Sequence, residues 1–126
     1  MQQNMNIHQE SFHGRLKLLI HKYVLLSYKS TSKYPSDEKF GLVSQDRRSS
    51  VSVILNYVEG FARIKSGVMI NFFETSYASL KESIYCRFLA KELNYISSEE
   101  YNEALLLKDE IGAMLYSSID GMKSKK

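Results

Sequence analysis

Residues 40–63 read FGLVSQDRRSSVSVILNYVEGFAR, and the spacing inside this stretch decides the fold. Val51, Ile54, Leu55 and Val58 fall at the intervals of one helix face, which predicts a helix with these residues on its apolar side. A second line, Gln45, Arg48, Ser52, Asn56, Glu59 and Arg63, repeats at steps of three or four and sets a polar stripe beside the first. The helix is expected from about Asp37 to Ile64, because Ser36 followed by Asp37 and Glu38 is a start signal.

Three further segments carry the same period. From about Gln9 to Lys29 the stripe is Phe12, Leu16, Leu19, Ile20, Tyr23 and Leu26, and Pro35 prevents this helix from running on into the next. The connection STSKYPSDEKFG is long enough for a tight turn or a short extra helical piece. After Lys65-Ser66-Gly67 comes Ile70, Phe73, Tyr77, Leu80, Ile84 and Phe88, with Asn94 as a left-handed C-terminal residue. Ser97-Ser98-Glu99-Glu100 has the form of a capping box and opens a helix bearing Tyr101, Ala104, Leu105, Ile111, Met114, Leu115 and Ile119, expected to end at Gly121. Short links make consecutive helices antiparallel. The expectation is one all-α domain over residues 1–126, an antiparallel up-down-up-down four-helix bundle with its core at about 9–120. A flexible polar N-terminus and a lysine-rich tail would flank it.

Composition agrees. One proline, six glycines and no tryptophan in 126 residues leave too few turn signals for a sheet-rich domain. The formal charge of +3 is mild, and Lys123, Lys125 and Lys126 supply much of it, so the folded body is close to neutral. That permits contact with nucleic acid without marking a strong basic footprint. A lone cysteine, Cys86, excludes an internal disulfide and a cysteine zinc site, and fits a reducing, cytoplasmic setting. The polar stretch MQQNMNIHQESFHGR has no apolar core of a signal peptide, and no apolar run approaches the roughly 20 residues of a membrane span.

The polar stripe is either a solvated face or a partly buried network in which Arg48 pairs with Glu59 or Glu82 and Asn56 fills the remaining hydrogen bonds. Arg48→Ala distinguishes them: about 3–5 kcal/mol if a carboxylate is left buried and unpaired, under about 0.5 kcal/mol if the stripe lies in solvent. Gly60 in a helix interior, at a cost of about 1 kcal/mol relative to alanine, suits a close approach of another backbone.

The same stretch resembles the signature of the four-helix-bundle proteins encoded in intervening sequences of bacterial large-subunit ribosomal RNA genes. Phe40, Gly41, Leu42, Gln45, Arg48, Ser52, Asn56, Glu59, Gly60 and Arg63 fall on that pattern in register. Tyr34-Pro35, Phe72-Phe73, Ser79-Leu80 with Glu82, and Leu93-Asn94-Tyr95-Ile96 extend the likeness over about Phe12 to Ile119. Ser49-Ser50, Tyr57-Val58 and Ala78 depart from it. The resemblance implies a homo-oligomer, a pentamer by analogy with the related accessory variability determinant of diversity-generating retroelements. It also implies RNA and a reverse transcriptase as partners.

No enzymatic motif emerges: no Walker loop, no GxGxxG and no HExxH. A di-metal bundle needs Glu-x-x-His on two helices, whereas Glu59 is followed by Ala62 and Glu82 by Tyr85. His8, His13 and His21 lack acidic partners in pattern, so neither a metal nor a cofactor is expected. Glu59 and Glu82 as an acid–base pair is a poorer reading than ion pairing to Arg48 or Arg63.

Two readings of function remain. In the first, a self-assembling accessory protein contacts RNA through Arg15, Lys17, Lys22, Arg47, Arg63 and Lys65, with tyrosines interleaved. In the second, it is a homo-oligomeric protein–protein scaffold with no nucleic-acid role. Nine tyrosines and six phenylalanines exceed what a thin core holds, so Tyr57, Tyr85 and Tyr116 are expected at interfaces.

Overall fold

The computed structural model describes residues 7–124, with side chains described from Phe12 onward. The expected flexible ends, residues 1–6 and 125–126, lie outside the described residues. Four helices, α1 (Ile7–Thr31), α2 (Leu42–Phe61), α3 (Ser66–Glu92) and α4 (Ser98–Ser124), form an antiparallel bundle. They adjoin in a ring, α1 to α2 to α3 to α4 and back to α1, with α2 and α3 sharing the most extensive interface.

Stop and start chemistry explains each corner. After α1, Lys33 and Tyr34 donate to the carbonyls of Ser30 and Thr31, tightening the last turn before Pro35. A 3-10 turn, Ser36–Glu38, follows, so α2 begins at Leu42 and not near Asp37. The Glu38 carboxylate accepts the Leu42 N–H at 3.0 Å and the Tyr95 hydroxyl at 2.8 Å. Those two bonds, the backbone one first, hold its carboxyl below the usual range. A Cβ at Gly41 would lie 2.8 Å from that capping carboxylate, which is the reason for a glycine there.

At the end of α3, Asn94 takes the left-handed conformation (φ 65°). The Asn94 and Tyr95 N–H groups reach back to Lys91 and Ala90, closing a Schellman motif. Ser97 then caps α4, its Oγ accepting the Glu100 N–H at 3.1 Å. Only that half of the capping box forms, because the Glu100 carboxylate pairs with Lys33. Gly121 does not end α4, which runs on to Ser124.

The core takes Leu16, Leu19, Ile20 and Tyr23 from α1, Ile70, Phe73, Leu80 and Ile84 from α3, and Ala104, Ile111, Leu115 and Ile119 from α4. These are the stripes that periodicity predicts. On α2 the prediction fails. Its inward residues are Asp46, Ser49, Ser50, Val53, Tyr57 and Gly60. Leu55 is 61% exposed and Val58 46%, so that half of the apolar line read from the sequence faces outward, while Val51 is partly buried and Ile54 packs against the core. The reason is the neighbour. Small residues on α2 meet Ser76, Ser79, Ser83 and Ala90 on α3, which lets the two helices pack closely. Ser76 Oγ donates to the Val53 carbonyl at 2.7 Å across this seam.

Candidate functional site

Toward the end of the α2–α3 seam, where α2 starts and α3 ends, lies a buried charge centre that the sequence reading did not single out. Asp46 and Arg87 are both 0% exposed, and Arg87 Nε donates to Asp46 Oδ2 at 2.7 Å. Asp46 Oδ1 accepts from Ser27 Oγ at 2.7 Å and Ser50 Oγ at 3.2 Å, so three helices converge on one carboxylate. The Arg87 guanidinium sits 4.9 Å from the Tyr23 ring centroid. Tyr23 in turn shares a 2.6 Å hydrogen bond with Ser83. Burial alone would lower the Arg87 pKa, yet the Asp46 charge and hydrogen bond leave it raised. The Tyr23 phenol is pushed up to about 12 and the Cys86 thiol to about 11, each chiefly by burial, so neither is a nucleophile near neutral pH.

A signal for this centre exists in the sequence. Asp46, Ser49, Ser50, Val53, Tyr57 and Gly60 are also spaced by threes and fours, and Arg87 lies seven residues after Leu80 on the α3 stripe. Hydrophobicity hides it, because the competing α2 line is greasier.

The polar stripe lies at the rim of the same seam, solvated. Arg48 pairs with Glu82 and with Gln45 Oε1, and the Arg48 and Glu82 side chains are 54% and 47% exposed. Ser52 and Ser79 share a 2.7 Å bond, and Asn56 Nδ2 donates to the Ser52 carbonyl at 2.9 Å. Glu59 pairs with Arg63 one turn on, which does not extend the network to Arg48. Of the two readings, solvated face or partly buried network, the stripe follows the first: Arg48 and Glu82 form a surface clasp between α2 and α3. Arg48→Ala is expected to cost under about 1 kcal/mol in a urea titration, the range of exposed pairs. A loss near 3 kcal/mol would contradict this solvated placement.

Gly60 has its explanation here too. A Cβ would stand 2.7 Å from Phe73 Cδ1 and 2.9 Å from Phe72 Cβ, so the close neighbour is the α3 aromatic pair and not another backbone.

Tyr57, expected at an interface, is 1% exposed. It stacks on Phe73 with centroids 5.0 Å apart, and its hydroxyl meets His13 Nδ1. A position facing the bundle axis beside a glycine leaves room for a large ring, which composition cannot reveal. Tyr85 and Tyr116 are exposed.

The six basic residues read as phosphate contacts do not gather. Arg15 pairs with Glu110 at the α1–α4 edge, and Lys22 lines a groove there with Glu103 and Glu110. Arg47 lies between α1 and α2, its Nε donating to Thr31 Oγ1 at 2.7 Å and its guanidinium 4.5 Å from the Tyr28 ring. Arg63 is held by Glu59 and lies over Phe72, while Lys17 and Lys65 are exposed elsewhere. Among the described residues no cluster of three or more His, Cys, Asp or Glu side chains could hold a metal, and no helix is long and apolar enough to cross a membrane.

A close-packed α2–α3 hairpin with a serine seam, a clasped rim and a glycine under an aromatic pair defines a particular kind of four-helix bundle. The family model of the 23S rRNA-intervening sequence protein matches residues 19–117, and the chain belongs to that family. Among solved structures it is similar to a protein of unknown function from the S23 ribosomal protein family of Bacteroides thetaiotaomicron VPI-5482. The identity is 22% and the TM-score 0.76, over 82% of this chain and 97% of that one. At this identity the likeness speaks for the fold alone. No curated protein matches the chain.

Proposed function

We propose that this protein is a cytoplasmic, non-enzymatic accessory protein that works as a homo-oligomer. The observation that carries the reading is the outward apolar line of α2. Single exposed apolar side chains are ordinary, but Leu55 and Val58 lie one turn apart on one helix with the partly exposed Val51 beside them, and Phe40, 87% exposed, stands at the corner before it. Tyr85 and Tyr116 add amphipathic rings on α3 and α4. A patch on α2 meeting a different patch on the next copy is a heterologous contact, which forms a ring when the rotation between copies closes. A pentamer is the ring we favour, by analogy with accessory variability determinants.

RNA contact is the second element of the proposal. It is supported by the family's link to a ribosomal RNA intervening sequence and by Arg47 stacked on Tyr28 in a groove with Arg48 and Asn56. Scattered basic residues on a monomer would be brought into a periodic array by a ring, where weak contacts add. A reverse transcriptase is then a further protein partner of the assembled ring.

Light scattering at micromolar concentration is expected to return a multiple of 14.6 kDa. Leu55→Glu with Val58→Glu is expected to give the monomer mass with helical circular dichroism retained. A monomeric wild type sinks the reading. For RNA, affinity should fall steeply between two salt concentrations, and no binding at low salt leaves the protein scaffold alone.

A further inference from the structure

Where α1 starts, α2 ends, α3 starts and α4 ends, the bundle leaves a half-open cavity of about 560 Å³, within the range of small-molecule pockets. Its walls are mainly apolar: Phe12, Phe61 and Phe73 supply rings, Met69 and Met122 supply flexible thioethers that adapt to a guest, and three serine hydroxyls, Ser118 among them, add a polar part. Among the described residues no Asp, Glu, Lys or Arg side chain lines it. His13 also lines it, 4.6 Å from the Phe61 centroid, and burial lowers its pKa, so the imidazole is neutral at physiological pH.

Two features of α4 are unexplained by folding alone. Ser118 Oγ is buried without a hydrogen-bond partner, although it lines the cavity, and such an orphaned hydroxyl is destabilising. Gly121 stands in the last described turn of α4, which runs on past it to Ser124. It has neither the positive φ nor the close approach that would require a glycine, since a Cβ there meets nothing within 4 Å. It too lines the cavity. A missing side chain and an unpaired hydroxyl on the same wall both make sense if the space is kept for an occupant.

We propose that this cavity is a binding site for a small uncharged molecule with an apolar, aromatic or branched body and one hydroxyl or carbonyl group, which Ser118 hydrogen-bonds. An ionised ligand is disfavoured, because no opposite charge on the lining would replace its hydration.

The probes are benzyl alcohol and toluene, titrated into the full chain carrying ¹³C-methyl methionine. Saturable shifts are expected at Met69 and Met122, with Met114, which does not line the cavity, unmoved. Ser118→Ala should weaken benzyl alcohol by about five-fold, the worth of one neutral hydrogen bond, and leave toluene unchanged. Gly121→Leu should take up part of the space and weaken both. Gly121→Ala, one methyl into open space, should weaken both while keeping the fold even if leucine does not. Shifts that never saturate, shifts that include Met114 equally, or undiminished binding in both Gly121 variants would overturn the site. An equal effect of Ser118→Ala on both probes would overturn the role given to its hydroxyl.

Discussion

Arg87→Ala is expected to lower the stability of the fold by about 3–5 kcal/mol, the cost of leaving a buried carboxylate without its counter-charge. Asp46 keeps its hydrogen bonds from Ser27 and Ser50 in that variant, but they donate no formal charge. Against a total stability of roughly 5–15 kcal/mol, the loss brings the bundle close to its unfolding threshold. The double replacement Asp46→Leu with Arg87→Met removes both charges, and apolar substitutes of similar volume commonly restore or exceed the starting stability. Urea titrations of the two single variants and the double complete the cycle. A loss below about 1 kcal/mol for Arg87→Ala, or a double variant no better than the singles, would mean that the pair is not dry as described.

Gly60→Val carries the next largest effect. The new Cβ alone would stand 2.7 Å from the Phe73 ring, and valine adds two methyls with one favoured rotamer in a helix. Phe73 cannot step aside freely, because it is buried and stacked on Tyr57. Overpacking of this kind typically costs about 1–3 kcal/mol, set against a gain in helix propensity of less than 1 kcal/mol. Thermal melting should show the net loss. Pairing the change with Phe73→Leu should return part of it, since the smaller side chain clears the clash. A neutral Gly60→Val would rule out the tight α2–α3 contact.

Three of the four helices were legible as written. Their stripes on α1, α3 and α4 are hydrophobic enough that spacing alone finds the inward face. Asn94 and Ser97 could be read because left-handed backbone and serine caps have distinctive residue choices. What failed on α2 failed for one reason. A face made of serines, an aspartate and a glycine does not look like a core until its partner is known; of the line Val51, Ile54, Leu55 and Val58 that does look like one, Ile54 packs on the core but Leu55 and Val58 face solvent. Tyr57 was misplaced by the same inversion. The stripe from Gln45 to Arg63 was found, but its depth was not, since spacing gives an angle around a helix and not the distance to its neighbour. The cavity at the bundle end has no local signature. Ser118 and Gly121 are informative only once α4 is seen to continue past them.

The seam also orders events in time. When α1 and α2 have left the ribosome, Asp46 has already been made, but Arg87 is forty-one residues further along the chain. Until it arrives, docking α2 on α1 in the native orientation would bury an uncompensated carboxylate, and the greasier side of α2 is the one that early collapse would select. The N-terminal half is therefore expected to take up its native α2 orientation only when α3 supplies Arg87.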